Sequence, residues 1–307
     1  IEHIHAIYSP ARLGLAAAIA CCAFTFLLGG GPIEMILAFV AAGIGNLIRT
    51  KLIKHHFTLF LNIAVSISAS CFIYAALLKI AEMAFNVPSI HEAGYICSML
   101  FIIPGFPFIT SGIDLAKLDL RSGLERLAYA IIIVMVATMF AWIMALLLRL
   151  QPMDFEDLNL TPVLHLILRL IMSFFGVFGF SIMFNSPAPM AATAALIGSI
   201  ANSLRLELVD LTGMPAPAAA FAGALTAGLL ASFIKENNGY PRISLTVPSI
   251  VIMVPGLYLY RAIYNFGIMA LSDAVSWFAS AIMIIIALPL GLIFARILTD
   301  KTFRYCT

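Results

Sequence analysis

Two Pro-Gly pairs, Pro104-Gly105 and Pro255-Gly256, lie inside long apolar stretches of the sequence. Proline removes a backbone donor and clashes with the preceding helical turn, so each pair predicts a broken helix. The half-helix after such a break directs its unpaired amides and the positive end of its dipole into the gap, where a carboxylate can bind. A single break could be an ordinary kink. Two breaks at equivalent places in the chain favour a binding site.

Polar side chains follow each Pro-Gly pair and provide groups for such a site. Asp114 could exchange protons or hold an ammonium group, and Arg261 could hold a carboxylate. Both could instead lie near helix ends and extend to water. Asp119 is the second candidate for proton coupling, unless it pairs with a nearby basic side chain. The residues predicted to bind substrate are Asn46, Pro104, Gly105, Thr110, Ser111, Asn202, Pro255, Gly256, Tyr260 and Arg261.

The composition indicates which solvent surrounds these residues. Of the 307 residues, 63% are hydrophobic and 10% are charged, whereas a water-soluble domain carries about 25% charged residues. The excess apolar surface must face lipid, so we expect an integral membrane protein. The net charge is +2, and the sequence has no long basic cluster. A nucleic-acid partner is therefore excluded.

Glycine, proline and charged residues divide the chain into ten apolar stretches of the length that a membrane-spanning helix needs. The predicted spans are 11–29, 32–48, 57–79, 94–113, 123–148, 163–185, 188–206, 215–234, 243–262 and 273–296. Most lysines and arginines fall in the connections on the side of the N-terminus. Because basic residues favour the cytoplasmic side, we expect a multi-pass protein of the cytoplasmic (inner) membrane with both termini in the cytoplasm.

The two halves of the sequence resemble each other. GIGNLIR at 43–49 aligns with SIANSLR at 199–205, and LFIIPGF at 100–106 aligns with VIMVPGL at 251–257. The first alignment matches Asn46 and Arg49 with Asn202 and Arg205. Continuing the second alignment matches Thr110 with Arg261 and Asp114 with Asn265. Internal repeats of this kind are typical of secondary transporters.

These repeats predict the fold class, an all-α polytopic membrane protein with ten transmembrane helices arranged as two five-helix inverted-topology repeats. Each half holds an odd number of spans, so the second half enters the membrane from the opposite side. The repeats comprise residues 1–150 and 163–307, the second ending in a cytoplasmic tail. Residues 151–162 form an extracytoplasmic linker.

Other polar residues receive structural interpretations. Arg49 and Arg205 are interpreted as anchors at the membrane interface. Glu34 follows Pro32 in the first turn of a helix, where a carboxylate complements the dipole, so an N-terminal capping role is favoured over a proton site. The five cysteines show no ligand spacing and are interpreted as reduced packing residues, which leaves no predicted metal or cofactor. They are Cys21, Cys22, Cys71, Cys97 and Cys306.

The segment PGFPFITSGIDLAKLDLRSGLERLAYA at 104–130 resembles the Pro-Gly, Asp, Asp, Ser-Gly signature of the threonine/serine exporter family. Its marked positions are Pro104, Gly105, Asp114, Asp119, Ser122 and Gly123. Three segments of the second half resemble the family's C-terminal module: FNSP at 184–187, ALIGSIANSLR at 195–205 and YPRISLTVPSIVIMVPGLYLYRAIYNF at 240–266. RLGLAAAIACCAFTFLLGGG at 12–31 is similar to the family's first helix.

The resemblance implies proton-driven export of small hydroxy amino acids, threonine and serine. A two-chain relative is associated with succinate export, so a small dicarboxylate is the alternative substrate. Pro107 and Phe108 depart from the family pattern, and Phe108 would narrow or line the cavity. Family members carry a soluble segment before the first helix, so we expect Ile1 to lie inside a longer protein.

The sequence bears on three classes of function. An alternating-access exporter leads, with substrate held between the halves near the two breaks. A passive channel or membrane scaffold is the second possibility. An enzyme is disfavoured because the sequence contains no GxSxG, HExxH or paired aspartates on one intramembrane helix face. The expected partners are a small-molecule substrate, protons and the lipid bilayer, with homo-oligomer formation left open.

Overall fold

The computed structural model describes residues 7–85, 88–152, 154–156 and 158–304, and within these ranges the regular structure is helical, without strands. The first half contains α1 (Pro10–Leu27), α2 (Pro32–Lys54), α3 (Leu59–Phe85), α4 (Gly94–Ser98), α5 (Gly105–Ala116) and α6 (Leu120–Leu148). The second half contains α7 (Pro162–Met183), α8 (Ala188–Thr212), α9 (Ala216–Asn238), α10 (Arg242–Ile250), α11 (Gly256–Gly267), α12 (Leu271–Thr299) and the short α13 (Lys301–Arg304).

Short 3-10 turns adjoin the smaller helices. They cover Ser89–Ala93 before α4, Leu100–Ile102 before α5 and Val251–Met253 before α11. Four cysteines are free thiols. The prediction for Cys306 falls outside the described residues, as do the first six residues of the predicted first repeat.

Seven of the described helices are long and apolar enough to cross a membrane, and counting each of two bent pairs as one span raises the number to nine. The seven are α1, α2, α3, α6, α7, α9 and α12. The bent pairs are α4 with α5 and α10 with α11. A helical membrane protein is thus confirmed, but ten spans are not. The predicted seventh span is the 25-residue helix α8, whose Asn202, Arg205 and two acidic residues lower its mean hydropathy.

The two halves repeat one order of elements: three long helices, a broken helix and a final long helix. The first helices of the halves, α1 and α7, pack against each other in opposite directions. Tyr8, just before α1, donates its hydroxyl to the carbonyl of Ser186, just after α7, over 2.8 Å. At the other end, the rings of Phe26 and His165 meet edge to face at 6.1 Å.

Small residues allow the helices to approach closely. A Cβ added to Gly179 of α7 would lie 2.5 Å from the carbonyl oxygen of Ala16 in α1. A Cβ added to Gly291 of α12 would lie 2.6 Å from the carbonyl oxygen of Phe221 in α9. Such small-residue contacts are the usual way for helices to pack in lipid, where hydrophobic association is weak.

Candidate functional site

Both Pro-Gly pairs break their helices, with bends of 54° at the first pair and 42° at the second. Pro104 has φ −81° and ψ 61°, and Pro255 has φ −81° and ψ 55°. These angles are those of an inverse γ-turn. In both turns the glycine amide donates to the carbonyl of the residue before the proline over 2.8 Å. The predicted breaks are confirmed, and their backbones are nearly identical.

The two breaks lie against each other in the interior. A Cβ added to Gly105 would lie 2.5 Å from Cγ2 of Val251, which precedes the second break. A Cβ added to Gly256 would lie 3.0 Å from Cδ2 of Leu100, which precedes the first break. Glycine at both positions is therefore explained by close approach of the two broken helices as well as by the turn itself.

A hydrogen bond between two tyrosines crosses from one broken helix to the other. The hydroxyl oxygens of Tyr95 in α4 and Tyr260 in α11 are 2.6 Å apart, and the rings meet edge to face at 5.8 Å. Both side chains are fully buried. The predicted site residue Tyr260 thus links the two halves. The sequence analysis missed Tyr95, since the matching positions Thr246 and Ile109 cannot form this pair.

A cavity of about 230 Å³ lies beside the second break. The end of α1, the C-terminal part of α8, the break itself and α12 line it. Among the described residues, its charged lining residues are Arg205 and Arg261, with no aspartate or glutamate. Such a site favours an anionic ligand group.

Contacts with Asp154 and Trp277 hold Arg261 in place. Its Nη2 donates to Oδ1 of Asp154 over 2.7 Å, and its guanidinium lies 4.8 Å from the ring centroid of Trp277. The Arg261 side chain is 12% exposed, whereas that of Asp154 is 88% exposed. Through Asp154, the linker between the halves therefore contacts a residue that lines the cavity.

Arg205 lines the same cavity from α8. Its Nε is buried and has no hydrogen-bond partner among the described residues. The equivalent Arg49 extends its Nη1 to the carbonyl oxygen of Phe101, before the first break, at 3.5 Å. The sequence interpretation of both as interface anchors thus missed that each points toward a break. Their equivalent positions in the two repeats were the signal that could have found this.

The half-helices after the breaks differ in the amides that they offer. The first amides of a helix lack intrahelical acceptors. In α11 these include the amides of Leu257 and Tyr258. In α5 the residue equivalent to Tyr258 is Pro107, which has no amide hydrogen. The start of α11 is therefore the stronger anion-binding end.

The first break adjoins an open cleft of about 380 Å³. Its lining residues are Phe106, Pro107, Thr110, Glu125, Arg126 and Tyr129. Phe108, expected to narrow the cavity, is buried and does not line the cleft. The Thr110 hydroxyl donates to the carbonyl of Phe106 over 3.0 Å, and the Ser111 hydroxyl donates to that of Phe108 over 2.8 Å. Both hydroxyls are thus engaged by their own helix.

The two candidate acids lie near the end of the first broken helix. Oδ2 of Asp114 is 3.1 Å from Nη1 of Arg126, with side chains 18% and 50% exposed, respectively. Asp119 is the N-cap of α6 and accepts from the Ser122 amide at 3.3 Å. Asp114 does not line the cavity that contains Arg261. The structure thus places Asp114 and Arg261, the charged residues predicted to act at the two breaks, in separate surroundings.

The predicted asparagines form contacts within each half. Nδ2 of Asn46 donates to the carbonyl of Leu13 over 2.8 Å, which links α2 to α1. Nδ2 of Asn202 donates to Oγ of Ser173 over 2.9 Å, which links α8 to α7. Neither asparagine lines the cavity beside the second break. The sequence predicted their equivalence but not that they join neighbouring helices.

Glu34 caps α2 as expected, because its Oε2 accepts from the Gly31 amide over 3.0 Å. Its other oxygen lies 2.7 Å from Nδ1 of His91. The sequence analysis missed His91 because 57 residues separate it from Glu34.

Comparisons with known proteins place the chain in a family. Residues 1–148 and residues 169–298 match two threonine/serine exporter models, the second described as threonine/serine exporter ThrE. The "Probable succinate transporter subunit YjjP" of Escherichia coli (strain K12) is 30% identical over 134 residues, which are 44% of this chain and 50% of that relative. The match thus spans about half of the relative's length. No solved structure matches the chain with statistical significance. Since exporter models cover both halves, the chain belongs to the threonine/serine exporter family.

Proposed function

We propose that this protein is a secondary active exporter of small hydroxy amino acids, threonine and serine, driven by the proton gradient. The observation that carries the proposal is the contact between the two Pro-Gly breaks, with a guanidinium-lined cavity beside the second. Broken helices that meet between two repeats are the usual substrate site of secondary transporters. Movement of one half against the other would expose this region to the two sides of the membrane in turn.

The proposed topology is ten spans in two inverted five-helix repeats, 1–150 and 163–307, with 151–162 outside and both termini in the cytoplasm of an inner-membrane protein. The opposite directions of α1 and α7 support inversion, since these helices are equivalent in the two halves. The tenth span is α8. Its acidic residues Glu207 and Asp210 both pair with Arg169 of α7, whose side chain is 9% exposed. This pairing lowers the cost of placing α8 in a membrane.

The substrate carboxylate is proposed to bind at the second break. Arg205, Arg261 and the first amides of α11 all border the 230 Å³ cavity. Charge-assisted hydrogen bonds from guanidinium to carboxylate are stronger than those between neutral groups. Among the other predicted substrate residues, Thr110 borders the cleft at the first break.

A small dicarboxylate such as succinate is the second candidate substrate. Of the described residues, two arginines and no acidic residue line the cavity at the second break, which suits two carboxylates better than a carboxylate and an ammonium group. The relative named as a succinate transporter subunit supports this alternative.

Counterflow in proteoliposomes tests the function and compares the substrates. Vesicles containing the full chain are loaded with unlabelled threonine, serine or succinate, and uptake of the same compound in labelled form is followed at equal pH. We expect saturable counterflow of threonine and serine. Counterflow of succinate alone would assign the dicarboxylate alternative. A linear, unsaturable flux would indicate a channel instead.

Asp114 is proposed to couple transport to protons, with Asp119 second. Asp114 faces the cationic Arg126 at the end of the first broken helix, where substrate-linked movement of α5 would change its surroundings. We expect Asp114→Asn to lose acceleration by a pH gradient while equal-pH counterflow persists. Asp119→Asn tests the second candidate in the same assay and keeps the cap of α6, because asparagine also caps helices well. Full gradient-driven activity in Asp114→Asn would remove Asp114 from the coupling mechanism.

A further inference from the structure

A buried carboxylate and an imidazole meet at the start of the first broken helix. Oε1 of Glu34, a residue 3% exposed, lies 2.7 Å from Nδ1 of His91, whose side chain is 13% exposed. His91 lies on the 3-10 turn that leads into α4. From these contacts we infer that Glu34 and His91 form a second proton-binding site, at the opposite end of the first broken helix from Asp114. This inference rests on the proposed proton-driven export.

Most charged groups around the pair have partners of their own. The hydroxyl of Tyr74 in α3 donates to the backbone carbonyl of His91 over 2.7 Å. Other titratable or charged groups on the neighbouring elements are Cys21 on α1, Lys79 and Glu82 on α3, Glu92 on the same turn, Tyr95 and Cys97 on α4, and Asp154 and Glu156 on the linker. Of these, Lys79 pairs with Glu82, Asp154 pairs with Arg261, and Glu92 accepts from the Gln151 amide. His91 is thus the nearest basic group to the Glu34 carboxylate.

One proton can be taken up and released by this pair. With a neutral imidazole, the Nδ1 hydrogen is donated to Oε1 of Glu34 and the pair carries one negative charge. A proton added at Nε2 of His91 converts the pair to imidazolium and carboxylate, which together are neutral. Removal of the proton from Nε2 restores the starting state. Because the pair is buried, its net negative charge is costly. Gain or loss of the proton therefore changes how stable the packing around the pair is.

The pair is built into the contacts that hold α4 in place. A Cβ added to Gly94, the first residue of α4, would lie 2.1 Å from the Tyr74 hydroxyl and 3.0 Å from Cβ of Glu34. The adjacent Tyr95 bonds to Tyr260 across the two broken helices. A change of charge at His91 therefore acts on the helix that joins the halves.

The second half lacks this pair. Met190 occupies the position of α8 that matches Glu34, and Arg242 matches His91. Arg242 donates to Oγ1 of Thr299 over 2.9 Å and to the carbonyl of Gly228 over 3.2 Å. A guanidinium is always charged in proteins, so the equivalent place in the second half cannot exchange a proton. Of the two equivalent positions, only the one in the first half can therefore bind and release a proton.

Transport measurements on two variants that cannot carry the proton test the inference. Glu34→Gln retains the side-chain size and an oxygen to cap α2, and His91→Gln retains a hydrogen-bond donor to Glu34. Labelled threonine is the probe, with rates measured at equal pH by counterflow and under an imposed difference of one pH unit, about a tenfold proton ratio. We expect both variants to retain counterflow and to lose the acceleration that the gradient causes. Glu92→Gln is the matched control and should behave as wild type.

The outcomes separate this inference from the proposed function. If wild-type protein shows no counterflow, the exporter proposal fails and this inference fails with it. If wild type is accelerated by the gradient and Glu34→Gln or His91→Gln is accelerated equally, only the inference is wrong.

A measurement on the wild-type protein tests the inference even if the variants fail to fold. Diethyl pyrocarbonate modifies neutral imidazole, and mass spectrometry resolves the peptide that contains His91. We expect the modification rate at His91 to rise with pH, because release of the proton from Nε2 gives the reactive neutral ring. A rate that does not change with pH would overturn the inference.

Discussion

The two helix breaks have the same backbone and different charges. Both prolines form inverse γ-turns with ψ of 61° and 55°, and both glycines pack against the other broken helix. After the first break the arginine lies on the final long helix, as Arg126, beside Asp114. After the second break it lies on the half-helix itself, as Arg261, stacked on Trp277.

This difference indicates that the two halves share the residues that bend the broken helices but differ in the charged side chains beyond the bends. Proline and glycine are needed wherever the two broken helices must bend and approach. The side chains beyond the breaks have no such common requirement. Arg205 and Arg261 line the cavity at the second break, where α11 begins with two amides. At the first break, α5 begins with one such amide, Arg49 approaches the Phe101 carbonyl, and Arg126 pairs with Asp114.

The largest expected effect comes from neutralising the arginines at the second break. We expect Arg205→Gln or Arg261→Gln to weaken binding of labelled substrate by about 2 kcal/mol, roughly 30-fold in Kd. The reason is the loss of a charge-assisted hydrogen bond to a carboxylate. The matched change at the first break, Arg126→Gln, removes a half-exposed charge and should alter Kd less than about fivefold.

Scintillation-proximity binding in detergent measures all three affinities, with thermal unfolding as the check that each variant is folded. A larger loss in Arg126→Gln than in Arg261→Gln would reverse the comparison. It would move the carboxylate site to the first break.

An intermediate effect is expected from the glycines of the breaks. Gly105→Ala should destabilise the protein by about 1–3 kcal/mol, because its Cβ would meet the stiff side chain of Val251 at 2.5 Å. Gly256→Ala should cost less, since its Cβ would meet the end of Leu100 at 3.0 Å. Thermal unfolding of the purified variants measures the order. Equal losses of stability would contradict this order and show that Val251 and Leu100 accommodate an added methyl group equally well.

The smallest effect is expected from the two equivalent asparagines. Asn46→Ala and Asn202→Ala should each lower stability by about 0.6 kcal/mol, the typical value of a hydrogen bond between membrane helices. Asn202→Ala should cost less of the two, because its Oδ1 is already buried without a partner among the described residues. Substrate Kd should not change in either variant. A clear loss of affinity in either variant would restore the sequence-based hypothesis that these residues bind substrate.

Local rules of helix formation explain how much of this protein the sequence predicted. Apolar length, Pro-Gly punctuation and matched motifs indicated a membrane protein, the order of its long helices and both breaks. Glu34 as a cap of α2 followed from the same local reasoning. The spacing of charges also suggested ten spans, and the polar α8 still leaves that number a proposal.

What the sequence by itself determined is therefore the class of protein, its family and the positions at which helices bend, because proline acts on its own turn and apolar length acts on its own segment. Only the tertiary structure decided that the breaks touch, that Arg205 lines a cavity and that Glu34 meets His91. These contacts depend on the rotation of each helix about its axis and on which neighbour it faces. Residues far apart in the chain set both, through close packing of small side chains.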